Sequence, residues 1–145
     1  MRINQVLASK ASHEVVTIGP DATVRELLRL LAEHNIGAVI VSTDGVRVDG
    51  IVSERDVVRR LHESESVFDA PLSTIMTADV HTCEGEDPVT DLVKMMTERR
   101  FRHVPVVKDG RLTGIISIGD VVKARMDELQ FERDQLDSYV HTSQT

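Results

Sequence analysis

The 145-residue chain carries 17 basic and 24 acidic residues, a net charge of -7, and no run of lysines or arginines. Because nucleic-acid binders need a basic surface, and because the chain has three Phe, one Tyr and no Trp to stack on bases, nucleic acid is excluded as the main partner. A single cysteine, Cys83, excludes an internal disulfide and predicts a cytoplasmic location, and no apolar run predicts a signal peptide or a membrane span.

The chain contains an internal repeat. Residues Val15–Val46 align with residues Val80–Arg111 without a gap. After a one-residue difference in the following turn, Gly50–Asp56 (GIVSERD) aligns with Gly114–Asp120 (GIISIGD). A difference of one residue in a turn is readily tolerated, so the sequence is organised as two copies of one unit.

The first copy predicts, in chain order, a strand, a helix, two strands and a second helix. The first helix follows Thr23, and Glu26 three residues later completes a capping box. Apolar residues then recur on one helix face, at Val24, Leu27, Leu28 and Leu31. The extended segments and the second helix lie at 14–18, 38–42, 48–53 and 54–64.

The second copy repeats this order. Asp87 can cap its first helix, and Pro88 suits the first helical turn. An Asp-Gly pair between the two later strands predicts a hairpin in each copy. The predicted strands and second helix lie at 79–83, 104–108, 112–117 and 118–129.

Each copy is therefore a β-α-β-β-α unit with helices on one side of a small sheet, which buries too little apolar surface alone. We expect an α+β fold, an α/β sandwich of tandem repeats related by pseudo-two-fold symmetry. The expected boundaries are 1–66 for the first copy with its N-terminal segment, 67–78 for a connector, 79–126 for the second copy, and 127–145 for a C-terminal helix and tail.

The repeated Ser-x-x-Asp pattern has two interpretations. Ser53 and Ser117 stand where a strand ends, so each can cap the next helix with Asp56 or Asp120 at the third helical position. The same corner can also bind a ligand, because a helix N-terminus attracts an anion and a carboxylate can accept both hydroxyls of a ribose. The residues alone leave both interpretations open.

The duplicated unit, its paired Gly-x-x-Ser-x-x-Asp endings, and the segments IMTADVHT (75–82) and RHVPVV (102–107) resemble a CBS domain pair, or Bateman module, of the stand-alone type. The resemblance covers residues from about 2 to 125. It implies a regulatory module, not an enzyme, that needs no cofactor. Such a module binds an adenosyl ligand (AMP, ADP, ATP, NAD(H) or S-adenosylmethionine) and signals to a partner protein, which the sequence does not identify.

The resemblance also implies which residues hold the ligand. Asp56 and Asp120 would hold ribose hydroxyls, and Ser53 and Ser117 would lie against ribose or phosphate. The adenine slot would be lined by Thr17, Thr82, Ile36, Gly37, Ala38, Val39, His103, Val104 and Pro105.

The two copies differ in charge at the expected sites. The first has the neutral segment NIGAV at 35–39, and the second has RFRHV at 100–104. Arg102 and His103 are candidates to hold a phosphate, as is Arg55 in the first Ser-x-x-Asp segment. Arg99 and Arg100 are more simply explained as partners of a helix dipole.

The C-terminal residues predict an amphipathic helix with four–three apolar spacing, at Val122, Met126, Leu129, Leu136 and Val140. This helix can fold back on the module or pair with a second copy, and we expect a homodimer. The alternative to nucleotide binding is a structural dimerisation or adaptor module without a ligand. A metal or redox function at His81 and Cys83 is weaker, because structural zinc needs four ligands.

Overall fold

The structure is a computed structural model that describes residues 1–143, and it describes side chains as far as residue 141. The helices of this part of the chain are α1 (Ile3–Ala8), α2 (Val24–His34), α3 (Glu54–Glu63), α4 (Val89–Arg99) and α5 (Ile118–Ser143). The strands are β1 (Thr17–Ile18), β2 (Ala38–Val41), β3 (Gly50–Ser53), β4 (Cys83–Glu84), β5 (His103–Lys108) and β6 (Arg111–Ser117). Two 3-10 helices, Glu65–Asp69 and Leu72–Thr74, lie between α3 and β4.

The strands form two three-stranded sheets with the orders β1-β2-β3 and β4-β5-β6. In each sheet the first strand runs parallel to the second, and the second runs antiparallel to the third. The register is equivalent in the two copies, with Ala38 opposite Ser53 and His103 opposite Ser117. The predicted fold class, two tandem β-α-β-β-α repeats, is confirmed.

Helix α2 follows the sequence prediction closely. The Thr23 hydroxyl accepts a hydrogen bond from Glu26 N at 3.2 Å, and the Glu26 carboxylate accepts one from Thr23 N at 3.2 Å. The helix buries Val24, Leu27 and Leu31, and it ends at Asn35 in the left-handed conformation, with φ of 51°. Asn tolerates this conformation better than most residues, which makes it a suitable helix terminator.

Helix α4 begins differently from the prediction. Pro88 is the N-cap residue and makes no side-chain capping bond. Asp87, the expected cap, instead accepts a hydrogen bond from Glu84 N at 2.9 Å, which closes the turn after β4. The helix buries Val89, Leu92 and Met96, as its apolar spacing predicts, whereas Val93, which the same spacing predicts to be buried, is exposed.

The two Asp-Gly turns also differ. Asp109 (φ 52°) and Gly110 (φ 76°) form a tight turn between β5 and β6, with the left-handed pair of angles that short hairpins favour. In the first copy β3 begins at Gly50, two residues later than predicted. There the Asp44 carboxylate accepts hydrogen bonds from Val46 N and Arg47 N at 2.8 and 2.9 Å, and it folds a wider loop.

Each copy completes its hydrophobic core with a segment from outside the repeat. Ile3 and Val6 of α1 are fully buried in the core of the second copy, although α1 precedes the first copy in the chain. Val67, Leu72 and Ile75 of the connector complete the core of the first copy. Boundaries drawn along the chain, such as 1–66, therefore do not coincide with the packing units, and they stay a prediction.

Helix α5 extends beyond the second copy. Val121 and Ala124 are buried against the core, whereas every described side chain from Leu129 to His141 is exposed. The part of α5 from Leu129 to His141 therefore projects from the module and does not fold back on it. Across residues 1–143, no helix combines the length and the apolar character that crossing a membrane requires.

Candidate functional site

Two clefts lie where the two copies meet. Cleft 1 has a volume of about 510 Å³. Its walls include Lys10, Ile36, Gly37, Ser117, Asp120 and Lys123. Cleft 2 has a volume of about 370 Å³. Its walls include Ser53, Arg55, Asp56, Arg99, Arg100 and Arg102. Both volumes fall within the range of small-molecule sites.

Each cleft takes its parts from both copies. The strand-to-helix corner of the second copy, with Ser117 and Asp120, faces residues 34–38 of the first copy across cleft 1. The corner of the first copy, with Ser53 and Asp56, faces residues 99–103 of the second copy across cleft 2. The candidate residues, which the repeat pattern groups within each copy, are therefore combined across the two copies.

The capping interpretation of the Ser-x-x-Asp pattern is confirmed. Asp56 Oδ2 accepts from Ser53 N at 2.8 Å, and Asp56 N donates to Ser53 Oγ at 3.4 Å. The second corner has the same bonds, at 2.9 Å from Ser117 N to Asp120 Oδ2 and 3.1 Å from Asp120 N to Ser117 Oγ. These bonds use one oxygen of each carboxylate. Within the described residues, Oδ1 of each aspartate accepts no hydrogen bond, so capping and ligand binding are compatible.

A lysine occupies the corner of cleft 1. Lys10 Nζ lies 3.1 Å from Asp120 Oδ2 and donates a hydrogen bond to Ile115 O at 2.9 Å. Burial acts to raise the pKa of Asp120, but the Ser117 amide and Lys10 outweigh it and hold that pKa below its ordinary value. Lys10 lies before the aligned repeat, so nothing in the repeat pattern could have identified it.

Cleft 2 is lined by arginines. Arg55 and Arg59 lie one turn apart on α3, and Arg99, Arg100 and Arg102 lie at the end of α4 and just after it. Across the described residues, none of the five forms an ion pair with a carboxylate. The carboxylates in the walls of this cleft are Asp56 and Asp79.

Three of these arginines were not expected in the site. Arg99 and Arg100 were assigned only to the dipole of a helix, and they line cleft 2 as well. Arg59 was not considered, although its position four residues after Arg55 places it on the same helix face. Arg100 also has an unusual backbone conformation, with φ of 59° at the position that corresponds to Asn35 in the first copy.

His103 and Ala38 line both clefts. His103 is half-buried, and burial is the largest influence on its pKa, which is lowered from the ordinary value. Asp120 and Glu54 act to raise this pKa, while Lys10 and Arg102 act to lower it. The imidazole is therefore a neutral group shared by the two clefts and influenced by charges in both.

The residues expected to form the adenine slot are only partly brought together. Ile36, Gly37 and Ala38 line cleft 1, and His103 lines both clefts. Five others lie outside the walls of the clefts: Val39, Val104 and Pro105, which are buried in the sheets, and Thr17 and Thr82, which lie in or beside the first strand of each copy. For these five, contact with a ligand stays a prediction.

The His81 and Cys83 pair has no metal-site geometry. Cys83 is buried, its Sγ lies 3.7 Å from Pro105 O, and burial raises the pKa of the thiol to about 12. His81 Nε2 lies 3.2 Å from Arg99 Nη1, and its ring packs against Phe101 at 5.1 Å. In the part of the chain that the structure describes, no three His, Cys, Asp or Glu side chains are grouped so that they could hold a metal ion.

The fold and the clefts define a class of protein: a tandem α/β pair in which each ligand-sized cleft is built from both copies. The family model of the CBS domain matches residues 6–63 and 72–127. The chain therefore belongs to the CBS domain family, and the predicted resemblance is confirmed.

Similar proteins support this assignment. A CBS-domain containing protein of Agrobacterium tumefaciens superposes with a TM-score of 0.81 at 44% identity, over 86% of this chain and 99% of that chain. A CBS domain protein of Pyrobaculum aerophilum, solved in complex with AMP, has a TM-score of 0.74 at 31% identity, over 83% and 89% of the two chains. A mitochondrial CBS domain-containing protein of Arabidopsis thaliana is 34% identical over 125 residues, 83% of this chain and 61% of that protein.

Proposed function

We propose that this protein is a regulatory module that binds an adenine nucleotide, AMP, ADP, ATP or NAD(H), and passes the bound state to a partner protein. The observation that carries the proposal is the pair of clefts, each formed by a Ser-x-x-Asp corner of one copy and a helix-to-strand segment of the other. The complex of the Pyrobaculum relative with AMP supports the choice of ligand.

The chemistry of the clefts suits the parts of a nucleotide. Asp56 and Asp120 each keep Oδ1 available to accept hydrogen bonds from ribose hydroxyls. Ile36, Gly37 and Ala38 offer an apolar wall and backbone groups to an adenine in cleft 1. Phosphates find positive charge at the start of α3 or α5 and on the arginines of cleft 2.

A signal can arise because each cleft has one wall from each copy. A ligand that contacts both walls favours one relative position of the two copies over another, so binding shifts that equilibrium. We propose this regulatory role in place of catalysis, and the partner that responds is not identified by the chain itself.

We also propose that the module is a homodimer and that α5 contributes to the contact. Exposed apolar residues follow the four–three spacing along this helix: Val122, Met126, Leu129, Leu136 and Val140. Native mass spectrometry should give a dimer, and removal of residues 130–145 should shift the population toward monomer. A monomeric full-length chain would contradict this.

The second candidate function is a structural dimerisation or adaptor module without a ligand. The capping boxes at Ser53 and Ser117 favour it, because they explain both serines and both aspartates without a nucleotide. The cytoplasmic location stays a prediction from the single reduced cysteine.

The two functions are separated by comparing cleft aspartates with a capping residue outside the clefts. Titration calorimetry with adenosine, AMP, ATP and NADH is done on the native protein, on Asp56→Asn with Asp120→Asn, and on Glu26→Gln. Glu26 caps α2 and lines neither cleft. We expect the aspartate variant to lose binding at least tenfold, about 1.4 kcal/mol, while Glu26→Gln binds normally. No binding of any of the four ligands to the native protein would favour the structural module.

A further inference from the structure

We propose that cleft 2 binds a chain of two or more phosphates, so that the module distinguishes ADP and ATP from AMP at this cleft and not at cleft 1. The inference rests on the proposed function for the adenosine part of the ligand only. Its own basis is the arrangement of charge in cleft 2.

The first observation is the concentration of positive charge. The whole chain carries a net charge of -7, yet five arginines and two aspartates line a cleft of about 370 Å³. The arginines approach from two sides, because Arg55 and Arg59 project from α3 of the first copy and the other three follow α4 of the second copy. A linear anion lying between these sides can contact arginines of both copies.

The second observation is that these charges are not compensated. In the described part of the chain, none of the five arginines has an ion-pair partner, and Arg99 Nη1 instead lies 3.2 Å from His81 Nε2. Like charges gathered in one cleft repel one another, so the arrangement costs free energy until an anion binds. Guanidinium groups bind phosphate oxygens through paired hydrogen bonds, and several arginines suit several phosphates better than one.

The third observation is the backbone of Arg100. Its φ of 59° lies in the left-handed region, which costs energy for a residue with a long side chain, whereas the equivalent position in the first copy has Asn35. Residues held in such conformations are concentrated at binding sites. At this position asparagine or glycine would be less strained, yet the chain has an arginine, and that arginine lies in the wall of cleft 2.

Cleft 1 lacks this arrangement. No arginine lies in its walls, Lys10 is already paired with Asp120 and with Ile115 O, and Lys123 is the other lysine. Glu14 adds a negative charge to the same wall. Cleft 1 therefore offers less attraction to additional phosphates and should favour a ligand with little negative charge.

The test compares ligands that differ only in phosphate number. Calorimetric affinities are measured for adenosine, AMP, ADP, ATP and inorganic tripolyphosphate, with the native protein and a double variant carrying Arg59→Gln and Arg99→Gln. Arg111→Gln is the control for general charge, because it removes one positive charge, half the change of the double variant, from β6 outside both clefts. Thermal melting of every variant verifies that it is folded.

We expect the native protein to bind ATP at least tenfold more tightly than AMP, a difference of about 1.4 kcal/mol. The double variant should lose about 100-fold in ATP affinity, about 2.7 kcal/mol, and less than about threefold in adenosine affinity. Tripolyphosphate should bind the native protein and Arg111→Gln but not the double variant.

The possible failures are distinguishable. Equal affinities for AMP and ATP would overturn the polyphosphate inference while adenosine binding still supported the proposed function. Equal loss of ATP affinity in Arg111→Gln and in the double variant would also overturn it. The loss would then come from the lower net charge of the protein and not from contacts in cleft 2. Tripolyphosphate binding without adenosine binding would support the phosphate site and contradict the nucleotide function.

Discussion

Cleft 1 and cleft 2 share one backbone arrangement but differ in charge, because acidic and basic side chains balance in the walls of cleft 1 while arginines are in excess in cleft 2. In both, a Ser-x-x-Asp corner caps a helix with nearly the same hydrogen-bond lengths. In cleft 1 the aspartate is neutralised by Lys10, whereas in cleft 2 the aspartate lies among arginines that have no ion-pair partner in the described residues.

The difference in charge between the clefts shows how a duplicated unit can differ at one wall of each cleft while its corners stay the same. The corner must keep Ser and Asp because the helix that follows depends on its cap. The opposite wall has no such constraint, so it is His34–Ala38 in cleft 1 and Arg99–His103 in cleft 2. We therefore expect the segments that face the corners to determine which ligand each cleft prefers.

The largest expected effect comes from reversing one charge in each cleft. Arg102→Glu places a carboxylate beside the proposed phosphates, and we expect ATP affinity to fall about 100-fold, or about 2.7 kcal/mol. Lys123→Glu makes the same charge change in cleft 1 and should alter ATP affinity less than about threefold. Calorimetry on both variants measures the contrast, and similar losses would contradict the assignment of phosphates to cleft 2.

Arg100→Gly should change stability and binding in opposite directions. Glycine adopts positive φ without strain, so the free energy of unfolding should rise by about 0.5–1 kcal/mol, as measured by urea denaturation. ATP affinity should fall about tenfold because one guanidinium is lost. The control, Asn35→Gly, should change stability little, since asparagine tolerates this conformation. A destabilised Arg100→Gly protein would show that the conformation is not strained.

Lys10→Ala should open the corner of cleft 1 at a small cost in stability. The ion pair with Asp120 is about one quarter exposed, so its loss should lower the free energy of unfolding by about 1 kcal/mol. Adenosine should gain a few-fold in affinity for cleft 1, because Asp120 no longer has an internal cation. Lys123→Ala, which removes a lysine without this ion pair, is the control. An unchanged adenosine affinity would mean that Lys10 does not compete with ligand.

The smallest expected effect is a pH dependence that distinguishes the two corners. The pKa of Asp120 is lowered in the folded state, so its stabilisation is complete above the unfolded value of about 3.9 and is lost as the pH falls through the folded pKa. Urea denaturation of Asp120→Asn between pH 2.5 and 6 should give a flatter profile than the native protein, by up to about 1 kcal/mol. Flattening that is no greater than in Asp56→Asn would contradict a special role of the lysine.

Much of the fold was predictable because its signals are local. The Thr23 capping box, the apolar faces of α2 and α4, and the order of strands in each repeat all appear in the structure. The packing of α1 in the core of the second copy was not predictable. A short segment with two buried residues has no periodic pattern that identifies the core in which it packs.

The sequence predicts the Ser-x-x-Asp corners of the site but not which segment of the opposite copy faces each corner. Ser53, Asp56, Ser117 and Asp120 follow from one repeated motif, whereas the pairing of each corner with the opposite copy depends on how two units pack. Lys10 and Asp120 are far apart in the sequence, so no local pattern predicts the ion pair that they form. Val39 and Val104 are fully buried within their strands, where every adjacent strand residue from Ala38 to Val41 is buried too, and their contact with a ligand stays a prediction.

A crystal structure of the protein grown with ATP would locate each part of the nucleotide. We expect density for the ribose at Asp56 and for the phosphates among Arg55, Arg59 and residues 99–102, in contact with both copies. Phosphate density in cleft 1 at the Lys10 side, or two empty clefts at saturating ATP, would contradict this expectation.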